Sequence, residues 1–159
     1  GMGEGHNFKQ LRDAILALSE AGDWEVARRE WSLVDISEAN EPETCLCGHF
    51  PIIEICTIAN RVNGHRAKIG NRCVKRFLGL RSDLIFAAIK RIRKDITKSL
   101  NADAIVFFNE RGLLTAWEYN FLQDTMAKRA LSPAQSATRE KINRKVLDAV
   151  GKRGFRGPD

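Results

Sequence analysis

The chain has 159 residues, of which 43% are hydrophobic and 29% charged, a composition that fits a globular domain and excludes collagen-like and low-complexity proteins. Its longest apolar runs, 84–89 and 104–108, fall far short of the ~20 residues that a transmembrane helix needs, so we expect no membrane contact. The net charge of +6 is uneven, because residues 1–54 carry 4 basic and 11 acidic side chains whereas residues 55–82 carry 7 basic and no acidic ones.

The first 44 residues predict two helices and a strand. Apolar residues from Phe8 to Leu18 recur at helical spacing behind Asn7, the expected N-cap, and this helix is expected to end near Gly22. Asp23 is expected to cap a short second helix. The run 31–36 favours a strand, and the acidic, proline-containing run 37–44 favours a loop.

The next segment predicts a β-hairpin and a short helix. Residues 52–59 are β-branched and strand-like, Asn63-Gly64 is a typical hairpin turn, and residues 66–69 would form the returning strand. A helix over 72–78, closed by Gly79, should follow.

The rest of the chain predicts helices with clear boundaries. We expect them over 82–99, 102–110, 115–129 and 132–150, with N-caps at Ser82, Asn101, Thr115 and Ser132. The final residues, 151–159, predict a mobile basic tail.

The four cysteines are the feature most indicative of chemistry. The sequence shows no charged-then-apolar leader, so we expect a cytoplasmic protein whose cysteines are reduced rather than paired in disulfides. Cys45 and Cys47 flank a predicted tight turn, Cys56 lies on the first strand of the hairpin, and Cys73 lies in the first turn of the short helix. A knuckle, a hairpin and a helix start that carry cysteines are typical of a treble-clef-like structural zinc site.

The fourth zinc ligand has alternatives. Cys56 is favoured, because strand alternation would direct it to one face while Ile55 takes the other. A cysteine among isoleucines can also be a small buried apolar residue, and in that case His49 or His65 would complete the set.

Other chemistries fit the cysteine region less well. The Cys45–Cys47 spacing differs from the CxxC of thioredoxin-like proteins. A catalytic zinc needs an adjacent base, and the nearby acids Glu43 and Glu54 form no catalytic pattern. A nuclease of the ββα-metal type would need a histidine or an acid on helix 72–78, which has neither. We therefore expect a protein without enzymatic activity, with nuclease activity as a weak alternative.

The segment from Cys45 to Leu80 resembles zinc-ribbon-like segments of poorly characterised proteins from bacteriophages, prophages and related mobile elements. The pattern is C-x-C-G, Ile-x-Asn, a turn with Asn-Gly, then Ile-Gly-Asn-x-Cys-Val and a phenylalanine. Residues 131–147 also look like a helix start found near the ends of such proteins. The resemblance implies a metal-binding module that acts around nucleic acid, and it supplies no established catalytic activity.

Basic residues on and after the hairpin predict contact with nucleic-acid phosphates, because clustered positive charges gain from counterion release. The sequence shows no evident stacking platform for single strands, so we expect contacts to the backbone rather than to bases. The alternative is a protein–protein interaction adaptor in which the basic face is merely solvated. The predicted phosphate contacts are Arg61, Arg66, Lys68, Arg72, Lys75, Arg76, Lys90, Arg93 and Lys94.

Together these features predict an α+β, mostly helical fold. A small treble-clef-like zinc module (knuckle, β-hairpin, short helix) would be inserted between an N-terminal helical segment and a C-terminal helical bundle. The expected parts are 1–44 for the N-terminal helices and strand, 45–80 for the zinc module, 81–150 for the helical region and 151–159 for the tail, together forming one compact domain.

Overall fold

The computed structural model describes residues 2–150, with side chains from residue 5, and the predicted tail at 151–159 lies outside that range. The predicted α+β class is confirmed, since seven α-helices and one antiparallel sheet occur in the described part of the chain. The chain forms two compact units, one ending at Arg81 and the other beginning at Ser82. None of the helices in the described range is both long and apolar enough to span a membrane.

The first unit contains three helices, a 3₁₀ turn and a sheet with the strand order β1-β2-β3. The bounds are α1 Met2–Ala17, α2 Trp24–Ala27, the 3₁₀ turn Arg28–Glu30, β1 Trp31–Glu43, β2 Ile52–Asn60, β3 Arg66–Ile69 and α3 Asn71–Leu78. The predicted hairpin is confirmed: β2 and β3 pair with Cys56 opposite Ile69, and Gly64 takes a positive φ of 79° in the turn.

Three boundaries in this unit differ from the sequence prediction. Residues 37–43, predicted as a loop, continue β1, with Glu38 opposite Glu54 and Glu43 opposite Ile52. β1 lies at an edge of the sheet, where polar side chains and a proline are tolerated because one side of the strand needs no partner. The predicted cap at Asn7 is also wrong, because α1 begins at Met2 and Asn7 lies within it. The predicted end of this helix near Gly22 is wrong as well, because α1 ends at Ala17.

The core of the first unit joins α1, the sheet and α3. Leu11 and Ile15 of α1, Ile58 of β2 and Phe77 of α3 are buried. The Phe77 ring lies 5.4 Å from the ring of Trp24, which has a second, edge-on contact with Phe8 at 6.2 Å. These apolar contacts fix α3, and therefore whatever side chains α3 carries, against the N-terminal helices.

A buried carboxylate ties the α1–α2 connection to the hairpin. The Glu30 side chain accepts hydrogen bonds from the backbone N–H groups of Glu20 and Ala21, each at 2.9 Å, and from Asn60 Nδ2 at 2.8 Å. The bond from Asn60 and then the two backbone bonds hold the pKa of Glu30 below its ordinary value. Asn60 Oδ1 in turn accepts the backbone N–H groups of Val62 and Asn63, so one network shapes the hairpin turn.

The second unit contains α4 Ser82–Lys94, α5 Ala102–Glu110, α6 Ala116–Thr125 and α7 Pro133–Val150. The predicted capping at Asn101 and Thr115 is confirmed, and Thr115 and Glu118 form a reciprocal capping box. Ser132 and Gln135 make the equivalent pair of hydrogen bonds, both at 3.1 Å, ahead of α7.

Two helices of this unit end earlier than predicted. α4 ends at Lys94 rather than near residue 99, and α6 ends at Thr125 rather than near 129. Buried polar side chains of α7 take up the carbonyl groups released there: Asn143 Nδ2 donates to Ile96 O and Lys98 O, at 2.8 and 2.7 Å. Arg139 likewise donates to the Thr125 carbonyl at 2.9 Å. These long-range hydrogen bonds satisfy carbonyl groups of the segment after α4 and at the end of α6.

Candidate metal centre and basic surface

The predicted cysteine knuckle is a closed turn between β1 and β2. The Cys45 N–H donates to the His49 carbonyl at 2.9 Å, and the Gly48 N–H donates to the Cys45 carbonyl at 2.8 Å. Gly48 has a φ of +92°, a region that side chains with a Cβ rarely adopt. The glycine therefore allows the chain to reverse within five residues and turns Cys45 and Cys47 toward the same side.

Cys73, in the first turn of α3, completes a cluster of three thiols. The Sγ atoms of Cys45, Cys47 and Cys73 all lie within 4.8 Å of one another, and the Cys45–Cys73 distance is 3.6 Å. The three residues are buried, with exposures of 3%, 3% and 8%. The sequence predicted these three cysteines and Cys56 as one ligand set, and the structure brings these three together.

Backbone donors point at the sulfur atoms. The Gly70 N–H donates to Cys45 Sγ and the His49 N–H donates to Cys47 Sγ, each at 3.4 Å. Such N–H groups stabilise negative charge on sulfur, which is the form that binds a metal. These two donors therefore favour the thiolate forms of Cys45 and Cys47.

The three thiols differ in how readily they lose a proton. The side-chain hydrogen bond between Cys45 and Cys73 lowers the pKa of Cys45 to about 5. The pKa of Cys73 is raised by its hydrogen bond with Cys45 and then by burial, and the pKa of Cys47 is raised by burial. One thiolate is therefore favoured in the cluster, and a second or third negative charge needs a compensating cation.

The spacing of the sulfurs fits a metal better than a disulfide. A disulfide requires about 2.05 Å between sulfur atoms. Zinc–sulfur bonds of about 2.3 Å in a tetrahedron place neighbouring sulfurs about 3.8 Å apart. The observed 3.6 Å between Cys45 and Cys73 is close to that tetrahedral edge. The three cysteines form a possible metal-binding cluster.

The structure does not bring Cys56, the favoured fourth ligand, into this cluster. Its sulfur lies outside the 4.8 Å group, and its thiol donates to Asn71 Oδ1 at 3.4 Å. Asn71 is anchored in turn, because its Nδ2 donates to Glu54 at 2.7 Å. Cys56 is fully buried in the central strand of the sheet, between Ile36 and Ile69 on the neighbouring strands. This packing agrees with the alternative in which Cys56 is a small buried apolar residue and not a ligand.

The two alternative histidines lie in different places. His65 follows the hairpin turn, and its Nδ1 is 3.0 Å from the Leu18 carbonyl. His49 belongs to the knuckle, is exposed, and lines a cavity of about 210 Å³ together with the three cysteines. Among the described residues, no fourth ligand atom (a histidine nitrogen, a cysteine sulfur or a carboxylate oxygen) lies within 4.8 Å of all three sulfurs.

α1 and α3 form the rest of this cavity, a feature that sequence reasoning missed. Asn7, Phe8 and Leu11 line it from α1, and Arg72 and Arg76 line it from α3. The helical pattern of α1 showed which of its residues are apolar, but nothing local could show that they face the cysteines. The acids considered as catalytic have structural contacts instead: Glu54 accepts from Asn71, and Glu43 pairs with Lys68 at 3.6 Å.

The nine predicted phosphate-contacting residues are all exposed. The six that precede residue 82 belong to the hairpin and α3, whereas Lys90, Arg93 and Lys94 belong to α4 in the second unit. The structure thus distributes the set over two units.

Within the first unit, several of these side chains are held by specific contacts. The Arg76 guanidinium lies 4.4 Å from the centre of the Phe8 ring, a cation–π distance. Arg61 donates to the Arg29 carbonyl. Such contacts reduce the entropy that a side chain loses on binding a ligand.

Comparison with known proteins adds no assignment: no family model, no curated protein and no solved structure matches this chain.

Proposed function

We propose that the protein is a small cytoplasmic accessory protein, of the phage or mobile-element type that its cysteine segment resembles, which binds the phosphate backbone of nucleic acid. Zinc would stabilise its treble-clef-like module, held by Cys45, Cys47 and Cys73, and the protein would have no catalytic activity. The observation that carries the proposal is that α3 provides both a buried cysteine of the cluster and exposed basic side chains.

α3 is short, and its opposite faces have different roles. Cys73 and Phe77 are buried, whereas Arg72, Lys75 and Arg76 are exposed. A helix of eight residues is marginal on its own, so its stability depends on what its buried face contacts. A metal bound to Cys73 and the knuckle would link α3 to the sheet and present three positive charges from a rigid element.

The test is fluorescence anisotropy of labelled single-stranded DNA, duplex DNA and RNA, titrated with the zinc-loaded protein at about 50 and 200 mM salt. Each phosphate contact on duplex DNA contributes about 0.9 to the slope of log affinity against log salt. If each side chain neutralises one phosphate, replacing Arg72, Lys75 and Arg76 by alanine should reduce that slope by about 2.7. The fourfold salt change should then alter affinity about 40-fold less than in the wild type.

A matched control separates specific contacts from net charge. Lys128, Arg129 and Lys141 are exposed and lie outside the proposed set, so their replacement by alanine removes the same charge. The control variant should bind almost as the wild type does. Absence of binding to all three nucleic acids at the lower salt, or equal losses in the two triple variants, would refute the proposal.

A protein–protein adaptor is the second candidate, and one observation favours it. Phe50, beside the knuckle, is 60% exposed, and Ile53, at the start of β2, is 44% exposed. The two residues are three positions apart, and a contiguous exposed apolar patch is typical of a protein-binding surface. An adaptor would retain partner binding at high salt, so the salt series also distinguishes the two functions.

A further inference from the structure

The cysteine cluster supplies one ligand fewer than a structural zinc site requires. Such sites are almost always four-coordinate and tetrahedral, with cysteine and histidine as ligands. The described structure groups Cys45, Cys47 and Cys73 only. The identity of the fourth ligand therefore depends on which other donor side chain can reach these three sulfurs.

Other donors are unsuited by their positions. Cys56 is fully buried in the sheet and its thiol donates to Asn71 Oδ1, so binding a metal would break this hydrogen bond and require a rotamer change within the core. His65 contacts the Leu18 carbonyl beside the hairpin turn. No carboxylate side chain is found among the described residues that line the cysteine cavity.

His49 is placed differently from all of these. Its backbone is fixed in the knuckle by two hydrogen bonds, one from its N–H to Cys47 Sγ at 3.4 Å and one to its carbonyl from Cys45 at 2.9 Å. Its side chain lines the same cavity as the three cysteines and is exposed. An exposed side chain can change rotamer without repacking a core, so the imidazole can adopt other rotamers at the cavity that it lines together with the three cysteines.

We propose that His49 is the fourth ligand of a Cys₃His zinc site, an inference that rests on the metal centre proposed above. Three thiolates and a neutral imidazole leave a net charge of −1 around Zn²⁺. Four thiolates would leave −2, which is harder to accommodate in a site with buried sulfurs. Arg72 and Arg76 line the same cavity and offset the remaining charge.

The direct test uses long-range ¹H–¹⁵N spectra of the histidine rings in the full chain during zinc titration. The chain has 3 histidines, so each ring can be assigned by substitution. We expect one ring nitrogen of His49 to shift on stoichiometric zinc addition, with the rings of His6 and His65 unchanged. A shift at His65, or no shift at any ring while zinc is bound, would overturn the inference.

Zinc affinity, measured by competition with a chromophoric chelator, provides a second readout. His49→Ala should weaken binding by more than the ~10–100-fold that loss of an outer-shell partner costs. His49→Cys should restore most of the affinity because it supplies another ligand, and His65→Ala should have no effect. A Cys56→Ala variant that loses zinc while His49→Ala keeps it would reverse the assignment.

The two proposals fail in different ways. If the wild-type protein takes up no zinc, the metal centre itself is refuted, and with it the proposed function. If the wild type binds zinc tightly and His49→Ala binds it equally well, the metal centre stands and only the assignment of His49 is wrong.

Discussion

Gly48 offers a specific test of how the backbone shapes the knuckle. Its φ of +92° lies where an alanine is strained, and a left-handed conformation costs a residue with a Cβ about 1–2 kcal/mol. A Cβ at this position would also approach Gln10 Oε1 at 2.8 Å. Because Gln10 is exposed and its side chain flexible, that contact can be relieved, whereas the backbone strain cannot.

Gly48→Ala should therefore lower the unfolding free energy of the zinc-loaded protein by about 1–2 kcal/mol. For a unit of this size that corresponds to a fall in melting temperature of roughly 4–16 °C. The assay is chemical and thermal denaturation followed by tryptophan fluorescence in a Trp117→Phe background. That background leaves Trp24 and Trp31, both in the first unit, as reporters.

The same substitution in a Gln10→Ala background separates the two causes. If backbone strain dominates, Gly48→Ala costs the same in both backgrounds. A loss that disappears when Gln10 is shortened would show that crowding by the side chain, and not φ, is the cause. A loss below about 0.5 kcal/mol in the wild-type background would refute the reasoning altogether, since changes of that size are ordinary for surface positions.

Three further predictions concern packing, buried polar groups and protons. Phe77→Ala removes a fully buried ring and should lower the unfolding free energy, measured by urea denaturation, by about 3–5 kcal/mol. Leu80→Ala, at a 44% exposed position, should change it by less than about 0.5 kcal/mol, and similar losses in the two variants would contradict the packing described. Asn143→Ala leaves two carbonyl groups without their donor and should cost about 1–3 kcal/mol, and an unchanged midpoint would argue against the α7 contacts. The pKa of Cys45 is lowered to about 5, whereas the pKa values of Cys47 and Cys73 are raised, so zinc binding at pH 7–8 should release about two protons and become tighter as the pH rises. Calorimetry in buffers of different ionisation enthalpy measures the number of protons released, and a release of zero would contradict thiolate ligation.

Local signals in the sequence predicted the features that depend on a few neighbouring residues. The capping boxes at Thr115 and Ser132 and the turn at Asn63-Gly64 were found because each is a short-range arrangement of side chain and backbone. The grouping of Cys45, Cys47 and Cys73 was also predictable, since a tight knuckle and a helix start have characteristic spacings.

Features set by tertiary contacts could not be predicted in this way. Strand alternation predicts which face of the sheet Cys56 occupies, but it does not predict which residues pack against that face. In the structure the Cys56 thiol donates to Asn71 and lies outside the cluster of the other three cysteines. The length of β1 depends on its pairing with β2. The carbonyl groups after α4 and at the end of α6 bond to Asn143 and Arg139, which follow later in the chain. The cavity wall from α1 likewise depends on long-range packing.

The most direct test of the central claim is the metal content of the purified protein, measured by elemental mass spectrometry, for the wild type and two single variants. The account predicts one zinc per chain in the wild type, its loss in Cys73→Ser, and its retention in Cys56→Ser. A wild-type protein that carries no zinc and takes none up when zinc is supplied would contradict the claim that these three cysteines form a metal centre.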